Sequence, residues 1–325
     1  MSSRISRLIA ATLCLLALSA YVPAAQAAPG TYFAGYYTNA WGTRYYQGYV
    51  PTTYHGAAMP LVVGLHGCTE VASGFQLLTG LDTLAEARGF ILVLPEQDPN
   101  ANGSRCWNWF YSYNQTRGSG EPSIIAGIVN VVKANYAVDN NRVHATGISA
   151  GAAMSVIMGA AYPDVFASIG SHSGCEYKGL PCGSSGGPDA TTTGNQMYTA
   201  MGTYKRVVPV IAFVGSADNV APPINTSQII TSWAQADDKA SDGLDNNNID
   251  DVAEQTISGQ VPGGRSYTRY VYNNSTNGQT VLEKYLVNGM GHMWSGGCSC
   301  SVYGDPTGPD ASSIMYDFFV AHPKP

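Results

Sequence analysis

Short apolar runs of strand length recur along the chain between stretches of helical periodicity. Most of these runs lack strict apolar and polar alternation, which favours strands buried on both faces of a mainly parallel sheet. Rich in Val, Ile, Leu and Phe, the runs are typical of strands. Six strands are predicted, at residues 61–65, 90–94, 142–147, 166–170, 208–214 and 281–287.

A helix is predicted between the second and third of these runs. Pro122 suits the first turn of a helix, where its missing N–H costs nothing. Apolar side chains then repeat at helical spacing, at Ile125, Ile128, Val129, Val132 and Tyr136. Because the order strand, helix, strand repeats along the chain, we predict a single α/β domain with helices on both faces of the sheet.

The first 27 residues have the features of a secretory signal peptide. Arg4 and Arg7 form a basic start, residues 8–18 are apolar, and Ala25-Gln26-Ala27 is a small-x-small cleavage site. The apolar run is shorter than the roughly 20 residues that cross a bilayer. We therefore expect cleavage after Ala27, a mature domain at 28–325 without membrane association, and export to the extracellular space, with the periplasm as the alternative.

The amino-acid composition limits the classes of partner that the protein is expected to bind. Charged residues make up 12% of the chain, against about 25% in a typical domain. The 16 basic and 22 acidic residues give a formal charge of −6 with no basic block, which excludes nucleic acid as the main partner. With 45% hydrophobic residues the chain can build a core. We expect one catalytic domain that has few surface charges and acts as a monomer.

If the protein is exported, the six cysteines after the signal peptide are expected to form disulfides, since disulfides persist outside the reducing cytosol. Six cysteines allow fifteen pairings, and sequence does not select one. The favoured set pairs Cys68 with Cys106 and Cys175 with Cys182, and leaves Cys298 and Cys300, whose bond would close a tight ring. Zinc is the alternative, but only the last two thiols are closely spaced, so no metal is expected here.

Residues 237–264 are rich in Asp, Asn and Gly and are predicted to form a solvated surface loop. The density of oxygen ligands at 242–251 keeps a structural calcium ion open as an alternative. Counted from Asp245, however, the spacing departs from the EF-hand pattern, because Ile249 stands where a ligand is expected.

The strand at 142–147 leads directly into Gly147-Ile148-Ser149-Ala150-Gly151. A nucleophile on a sharp strand-to-helix turn requires small neighbours two positions away on each side. Gly147 and Gly151 satisfy this requirement, and the turn would expose the Ser149 hydroxyl above the start of a helix. Ser149 is therefore the predicted nucleophile, with an ordinary Gly-Ser turn as the alternative.

A serine nucleophile needs a base and a carboxylate that orients it. His292 follows the strand at 281–287 and is the predicted base, with His172 as its competitor at another strand end. His66 is better suited to holding a loop and His144 to the core. Asp218 ends the run at 208–214 and is the predicted carboxylate.

The tetrahedral intermediate also needs two N–H donors. The residue after the nucleophile, Ala150, would supply one, and Cys68, in the loop after an early strand, the other. Trp107, Trp109 and Trp294 are candidates for lining a substrate groove, with buried packing as the alternative for each.

Five blocks of this sequence together resemble secreted polyhydroxybutyrate depolymerases and the related feruloyl and acetylxylan esterases. They are residues 65–69, 106–110, 142–152, 215–218 and 289–294. The resemblance implies an α/β-hydrolase fold, Ser149 as nucleophile, His292 as base, Asp218 as its partner and an oxyanion site built around Cys68 and Ala150. Many depolymerases continue into a polymer-binding domain, which this sequence does not contain, so a single catalytic domain is expected.

These observations predict a serine carboxylic-ester hydrolase that forms an acyl-enzyme and needs no cofactor. The favoured substrate is polyhydroxybutyrate or another polyester of short hydroxy acids. Ester groups on plant-wall polysaccharides are the alternative, as substrates of a feruloyl or acetylxylan esterase. A serine peptidase and a non-catalytic secreted binding protein are further alternatives.

Overall fold

The computed structural model describes residues 30–325. The predicted signal peptide and its cleavage site lie outside the described residues. Within them the chain builds one ten-stranded sheet with strand order β1-β2-β4-β3-β5-β6-β7-β10-β9-β8. Its strands are β1 Thr31–Asn39, β2 Gly42–Val50, β3 Met59–Leu65, β4 Ile91–Pro95, β5 Val138–Gly147, β6 Ser168–His172, β7 Val210–Gly215, β8 Gln255–Gln260, β9 Ser266–Asn273 and β10 Thr280–Val287.

Six neighbouring strands at the centre of this sheet, from β4 to β10 in spatial order, are parallel. They are the six strands predicted from the apolar runs, with bounds that differ by up to four residues. Antiparallel strands flank them on both sides, β1 and β2 on one and β8 and β9 on the other. The prediction of a mainly parallel α/β sheet is therefore confirmed.

Within the described part of the chain, seven α-helices cover the two faces of the sheet. Helices α3 to α6 pack on one face in a large apolar cluster, and α1, α2 and α7 pack on the other. The predicted helix is α3, and none of the described helices is both long and apolar enough to cross a membrane. The helices are α1 Ala72–Thr79, α2 Leu81–Arg88, α3 Gly120–Asn135, α4 Ala150–Ala161, α5 Ala190–Ala200, α6 Pro223–Asp242 and α7 Ala311–Ala321.

The prediction of a surface loop over 237–264 is wrong for residues 237–242 and 255–260. Helix α6 continues to Asp242, and β8 occupies Gln255–Gln260. Two acids near the end of the helix are buried acceptors: Asp237 accepts the Val208 N–H at 2.8 Å, and Asp238 accepts the Asn246 N–H at 2.8 Å. The connection at 243–254 and the turn at 261–264 are irregular.

That connection does not fit a calcium ion. Asp242 accepts hydrogen bonds from Leu244 N and from the side-chain amides of Asn246 and Asn248, all within 2.9 Å. These donors occupy both carboxylate oxygens of Asp242. Across residues 30–325 there is no cluster of three or more His, Cys, Asp or Glu side chains that could hold a metal.

Among residues 30–325, three disulfides brace the loops around the sheet. Cys68 is bonded to Cys106, Cys175 to Cys182, and Cys298 to Cys300. The first joins the loop after β3 to the loop after β4. A short parallel bridge, β11 Trp294–Ser295 with β12 Gly304–Asp305, holds the segment that follows β10.

Candidate active site

Four loops meet at the carboxyl edge of the parallel strands. Cys68 follows β3, Ser149 follows β5, Asp218 follows β7 and His292 follows β10. Because all four strands are parallel, the predicted site residues are brought to one edge although 224 positions separate Cys68 from His292. A cavity of about 230 Å³ opens there. Its walls are Gly67, Cys68, Thr69, Glu70, Ile148, Ser149, Val220, His292 and Tyr303.

Ser149 lies on a sharp turn between β5 and α4. Its backbone has φ 57° and ψ −120°, a conformation that non-glycine residues rarely adopt and that therefore carries strain. The Ser149 N–H donates to the His172 carbonyl at 2.9 Å, which holds the turn. A side chain at Gly147 would lie 2.5 Å from the Leu65 carbonyl oxygen, and one at Gly151 would lie 2.6 Å from that of His66. Both glycines are required by this close approach.

His292 is paired with Asp218. The distance from His292 Nδ1 to Asp218 Oδ2 is 2.8 Å, and the other carboxylate oxygen accepts the N–H groups of Val220 at 2.9 Å and Ala221 at 2.8 Å. Burial by itself would raise the pKa of Asp218, but the hydrogen bond and charge of His292 and the two N–H groups outweigh it and lower that pKa. An ionised Asp218 keeps the proton on Nδ1 and leaves Nε2 of His292 with a free lone pair.

Two backbone donors are free at this edge. Within residues 30–325, the N–H groups of Cys68 and Ala150 have no protein acceptor. Ala150 is the first residue of α4, where unpaired N–H groups and the helix dipole favour negative charge. The arrangement can therefore donate two hydrogen bonds to an oxyanion.

The loop that carries Cys68 is fixed from several sides. Gly67 N–H donates to Glu70 Oε2 at 2.8 Å, and Thr69 N–H donates to the Ser104 carbonyl at 2.6 Å. His66 lies 2.7 Å from the Gly67 carbonyl through Nδ1, and its Nε2 accepts the Gln97 N–H at 3.0 Å. Burial lowers the pKa of His66 to about 4, so the ring is neutral and serves to hold the loop.

His172, the competitor for the role of base, has both ring nitrogens engaged. Its Nε2 accepts the Ser295 N–H at 3.0 Å, and Nδ1 lies 3.1 Å from Ser173 Oγ. The imidazole is fully buried between the rings of Phe213 and Trp294, with centroid distances of 5.6 and 5.0 Å. Burial lowers its pKa to about 3. His172 thus has no free nitrogen for Ser149.

The prediction that Trp107 and Trp294 line a substrate groove is wrong. Both side chains are 0% exposed. Trp107 packs against His66, with ring centroids 5.6 Å apart, and Trp294 Nε1 donates to Ser312 Oγ at 3.0 Å. Trp109 is half-buried and packs edge-to-face on Phe110, outside the walls of the cavity. Large aromatic area is more stable inside the core, which explains the outcome.

Sequence reasoning missed Glu70, Tyr303 and Val220 as residues of the cavity. Burial raises the pKa of Glu70, whose carboxylate also holds the Gly67 N–H. The Tyr303 hydroxyl lies 2.9 Å from Thr69 Oγ1, so two loops that are distant in sequence meet across the cavity wall. Glu70 and Val220 shared one sequence signal, since each lies two residues after a predicted site residue, Cys68 and Asp218 respectively.

The fold and the strand-end placement of these residues define an α/β-hydrolase. An acetyl xylan esterase from Aspergillus awamori has the same fold, with a TM-score of 0.66 at 20% identity over 89% of this chain and 99% of that one. Residues 44–193 match the family described as Esterase PHB depolymerase. The resemblance expected from the sequence is therefore confirmed over residues 44–193.

Two curated relatives accompany this match. A poly(3-hydroxyalkanoate) depolymerase C from Paucimonas lemoignei is 34% identical over 246 residues, which cover 73% of this chain and 55% of the relative. A feruloyl esterase B from Neurospora crassa is 28% identical over 248 residues, 72% of this chain and 78% of the relative. The chain spans about half the length of the curated depolymerases it matches.

Proposed function

We propose that this protein is a secreted serine carboxylic-ester hydrolase that acts through an acyl-enzyme on short-chain hydroxyacid polyesters. The observation that carries the proposal is the meeting of Ser149, His292 and Cys68 in the wall of one cavity, with Asp218 hydrogen-bonded to the imidazole and Ala150 following Ser149 at the start of α4. The family of residues 44–193 supports ester hydrolysis as the reaction class.

Formation of the acyl-enzyme begins with Ser149. Its Oγ attacks the ester carbonyl while His292 Nε2 takes the hydroxyl proton. The carbonyl oxygen becomes an oxyanion and accepts the N–H groups of Cys68 and Ala150. The intermediate then expels the alcohol, which receives its proton from His292, and the acyl group stays on Ser149.

Hydrolysis repeats the same steps with water as the nucleophile. His292 takes a proton from the water, the oxyanion forms again, and the bond to Ser149 Oγ breaks as His292 returns the proton. Asp218 stays ionised throughout and stabilises the imidazolium. None of these steps requires a metal or an organic cofactor.

The cavity supports a small, neutral acyl group. Its wall combines the apolar side chains of Ile148 and Val220 with the ring of Tyr303, and its volume of about 230 Å³ is modest. The depolymerase relative supports a hydroxyacid polyester. The feruloyl esterase relative supports the second candidate, an ester on plant-wall polysaccharide.

The test of the proposal is Ser149→Ala. Hydrolysis of p-nitrophenyl butyrate should fall about 10⁴-fold or more, because no other group replaces the nucleophile. Ser258→Ala, an exposed serine on β8, is the matched control and should keep full activity. Activity retained by Ser149→Ala would refute the assignment.

The substrate is decided by a second measurement. The wild-type enzyme should clear a suspension of polyhydroxybutyrate faster than it releases ferulate from arabinoxylan. The reverse order would favour the plant-wall substrate while leaving the serine mechanism intact.

A further inference from the structure

A row of aromatic rings projects from the tip of the β1–β2 hairpin and from the loop after β4. Trp41 stacks on Tyr113, with ring centroids 5.6 Å apart and planes inclined by 11°, and Tyr113 stacks on Tyr111 at 5.3 Å and 15°. Phe110 continues the row at 4.6 Å from Tyr111. We name Trp41, Tyr113, Tyr111 and Phe110 the aromatic ridge. Trp41, Tyr111 and Tyr113 remain 44–46% exposed, unlike the buried Trp107.

The aromatic ridge lies at the same edge of the sheet as Ser149. β2 is antiparallel to β4, and Tyr46 pairs with Pro95, so β2 starts beyond the carboxyl end of β4. The hairpin tip therefore stands at the carboxyl edge. Only β4 and β3 separate β2 from β5, which places the ridge roughly 14 Å or somewhat more from the nucleophile turn, at about 4.8 Å per strand.

The ridge is held rigidly. Asn108 N–H donates to the buried Glu121 at 2.7 Å, Asn114 Nδ2 donates to the Asn108 carbonyl at 2.8 Å, and Gln115 Nε2 donates to the Trp109 carbonyl at 3.0 Å. The Cys68–Cys106 disulfide joins the same loop to the cavity wall. Little conformational entropy would be lost when a ligand covers these rings.

The orientation of the rings selects the chemistry of the ligand. Because Tyr113 stacks on both Trp41 and Tyr111, the faces between these rings are covered, whereas stacking on a sugar ring requires open faces in a flat row. Among residues 30–325 the hydroxyls of Tyr111 and Tyr113 make no hydrogen bond. They can donate to ester carbonyls, which recur along a polyester that has no donors of its own.

The segments that form the ridge are also free of charge. Residues 37–43 and 107–114 contain no Asp, Glu, Lys or Arg. An uncharged, partly apolar surface matches a neutral polymer, since no ionic group has to be desolvated when the two meet.

We propose that the aromatic ridge is a docking surface for a neutral aliphatic polyester, which it holds at the edge where Ser149 lies. The ring edges cover the methyl and methylene groups of the polymer, and the two phenolic hydroxyls donate to its carbonyls. The inference rests on the proposed function, because the polymer is also the substrate of the cavity.

Adsorption measured without turnover tests the ridge. In an inactive Ser149→Ala background, the triple change Trp41→Ala, Tyr111→Ala and Tyr113→Ala should weaken binding to a polyhydroxybutyrate film roughly tenfold or more, because three apolar contacts are lost together. Tyr32→Ala, a ring with 59% exposure at the end of the β1–β2 hairpin opposite its tip, is the matched control and should bind as the parent does.

The same ridge changes in the active enzyme should leave kcat/KM on soluble p-nitrophenyl butyrate within about twofold, since the ridge lies outside the cavity. Hydrolysis of the film should fall along with adsorption. If circular dichroism shows that the triple variant does not fold, Trp41→Gln alone decides, with a several-fold loss of adsorption expected.

Unchanged adsorption by the folded ridge variants would overturn the proposal. A loss confined to insoluble arabinoxylan would overturn it as well, because the occupant would then be a polysaccharide. Tyr111→Phe with Tyr113→Phe keeps the rings and should lose only the share contributed by the hydroxyls. An active-site failure is separate: it would appear as a wild type inactive on soluble esters, whatever the films bind.

Discussion

Two histidines occupy equivalent positions at the carboxyl edge of the sheet and have opposite environments. His172 is the last residue of β6, and His292 lies in the segment that follows β10. One strand, β7, separates β6 from β10 in the sheet. The first is 0% exposed, and both of its nitrogens are engaged. The second lies on the cavity wall, with one nitrogen bonded to a carboxylate.

The strand end brings each histidine to the carboxyl edge of the sheet, whereas the neighbouring side chains determine what chemistry its ring can perform. Phe213 and Trp294 exclude water and any counter-ion from His172, so only the neutral ring is stable there. Asp218 gives His292 a partner that stabilises a cation. The two histidines are linked, because His172 accepts the Ser295 N–H and thereby anchors the segment that carries His292.

Removal of the imidazole at His292 is the change expected to have the largest effect. His292→Ala should lower kcat on p-nitrophenyl butyrate by about 10⁴-fold or more, because the proton of Ser149 then has no acceptor. The free energy of unfolding should also fall, by about 1–3 kcal/mol, since the side chain is only 15% exposed and the buried Asp218 carboxylate loses its partner. Urea titration followed by fluorescence measures the second quantity.

The outcome that breaks the comparison is an exchange of roles. If His292→Ala kept its activity while His172→Ala lost it without loss of stability, His172 would be the base despite its burial.

Asp218→Asn is expected to have the next largest effect. An amide in place of the carboxylate can donate to Nδ1 and favour the wrong tautomer, so kcat should fall by about 10²- to 10⁴-fold. Asp189→Asn changes an acid that caps α5 far from the site and should leave kcat unchanged. A kcat within tenfold of wild type for Asp218→Asn would mean that the imidazole is oriented by other contacts.

The parallel centre of the fold was predictable because its strands are buried on both faces and therefore read as apolar runs. The antiparallel flanks were not. β1 alternates exposed and half-buried positions, but tyrosines stand on both faces, so the sequence shows no polar alternation. β8 is almost entirely exposed and owes its conformation to pairing with β9.

The residues of the site likewise divide into those that local sequence could predict and those that it could not. Ser149 could be found because Gly147 and Gly151 mark a turn that no larger residue can form. The burial of Trp107 and Trp294 depends on side chains from distant segments, such as Ser312, which local sequence does not specify. The buried acids Asp237 and Asp238 were assigned to the surface for the same reason, since their N–H donors lie on other segments.

The smallest expected effect concerns the acid stability that His172 confers on the fold. An ordinary histidine pKa of about 6.5 in the unfolded chain falls to about 3 in the fold because of burial and the nearby His292. Between these two values the unfolded chain binds a proton that the native protein does not bind. The contribution of His172 to the stability is therefore fully present above pH 6.5 and is lost as the pH falls toward 3.

His172→Gln keeps an acceptor for the Ser295 N–H and removes the titrating group. The variant should be less stable than wild type at pH 7, because the ring contacts with Phe213 and Trp294 are lost. The difference should shrink by about 1.4 kcal/mol per pH unit below pH 6.5, hence by about 2 kcal/mol at pH 5. Phe75→Leu removes a ring packed on Trp294 without a titrating group and should show a deficit that does not follow this slope. If the difference between wild type and His172→Gln stayed constant from pH 7 to pH 5, His172 would be protonated in the native state and its contrast with His292 would disappear.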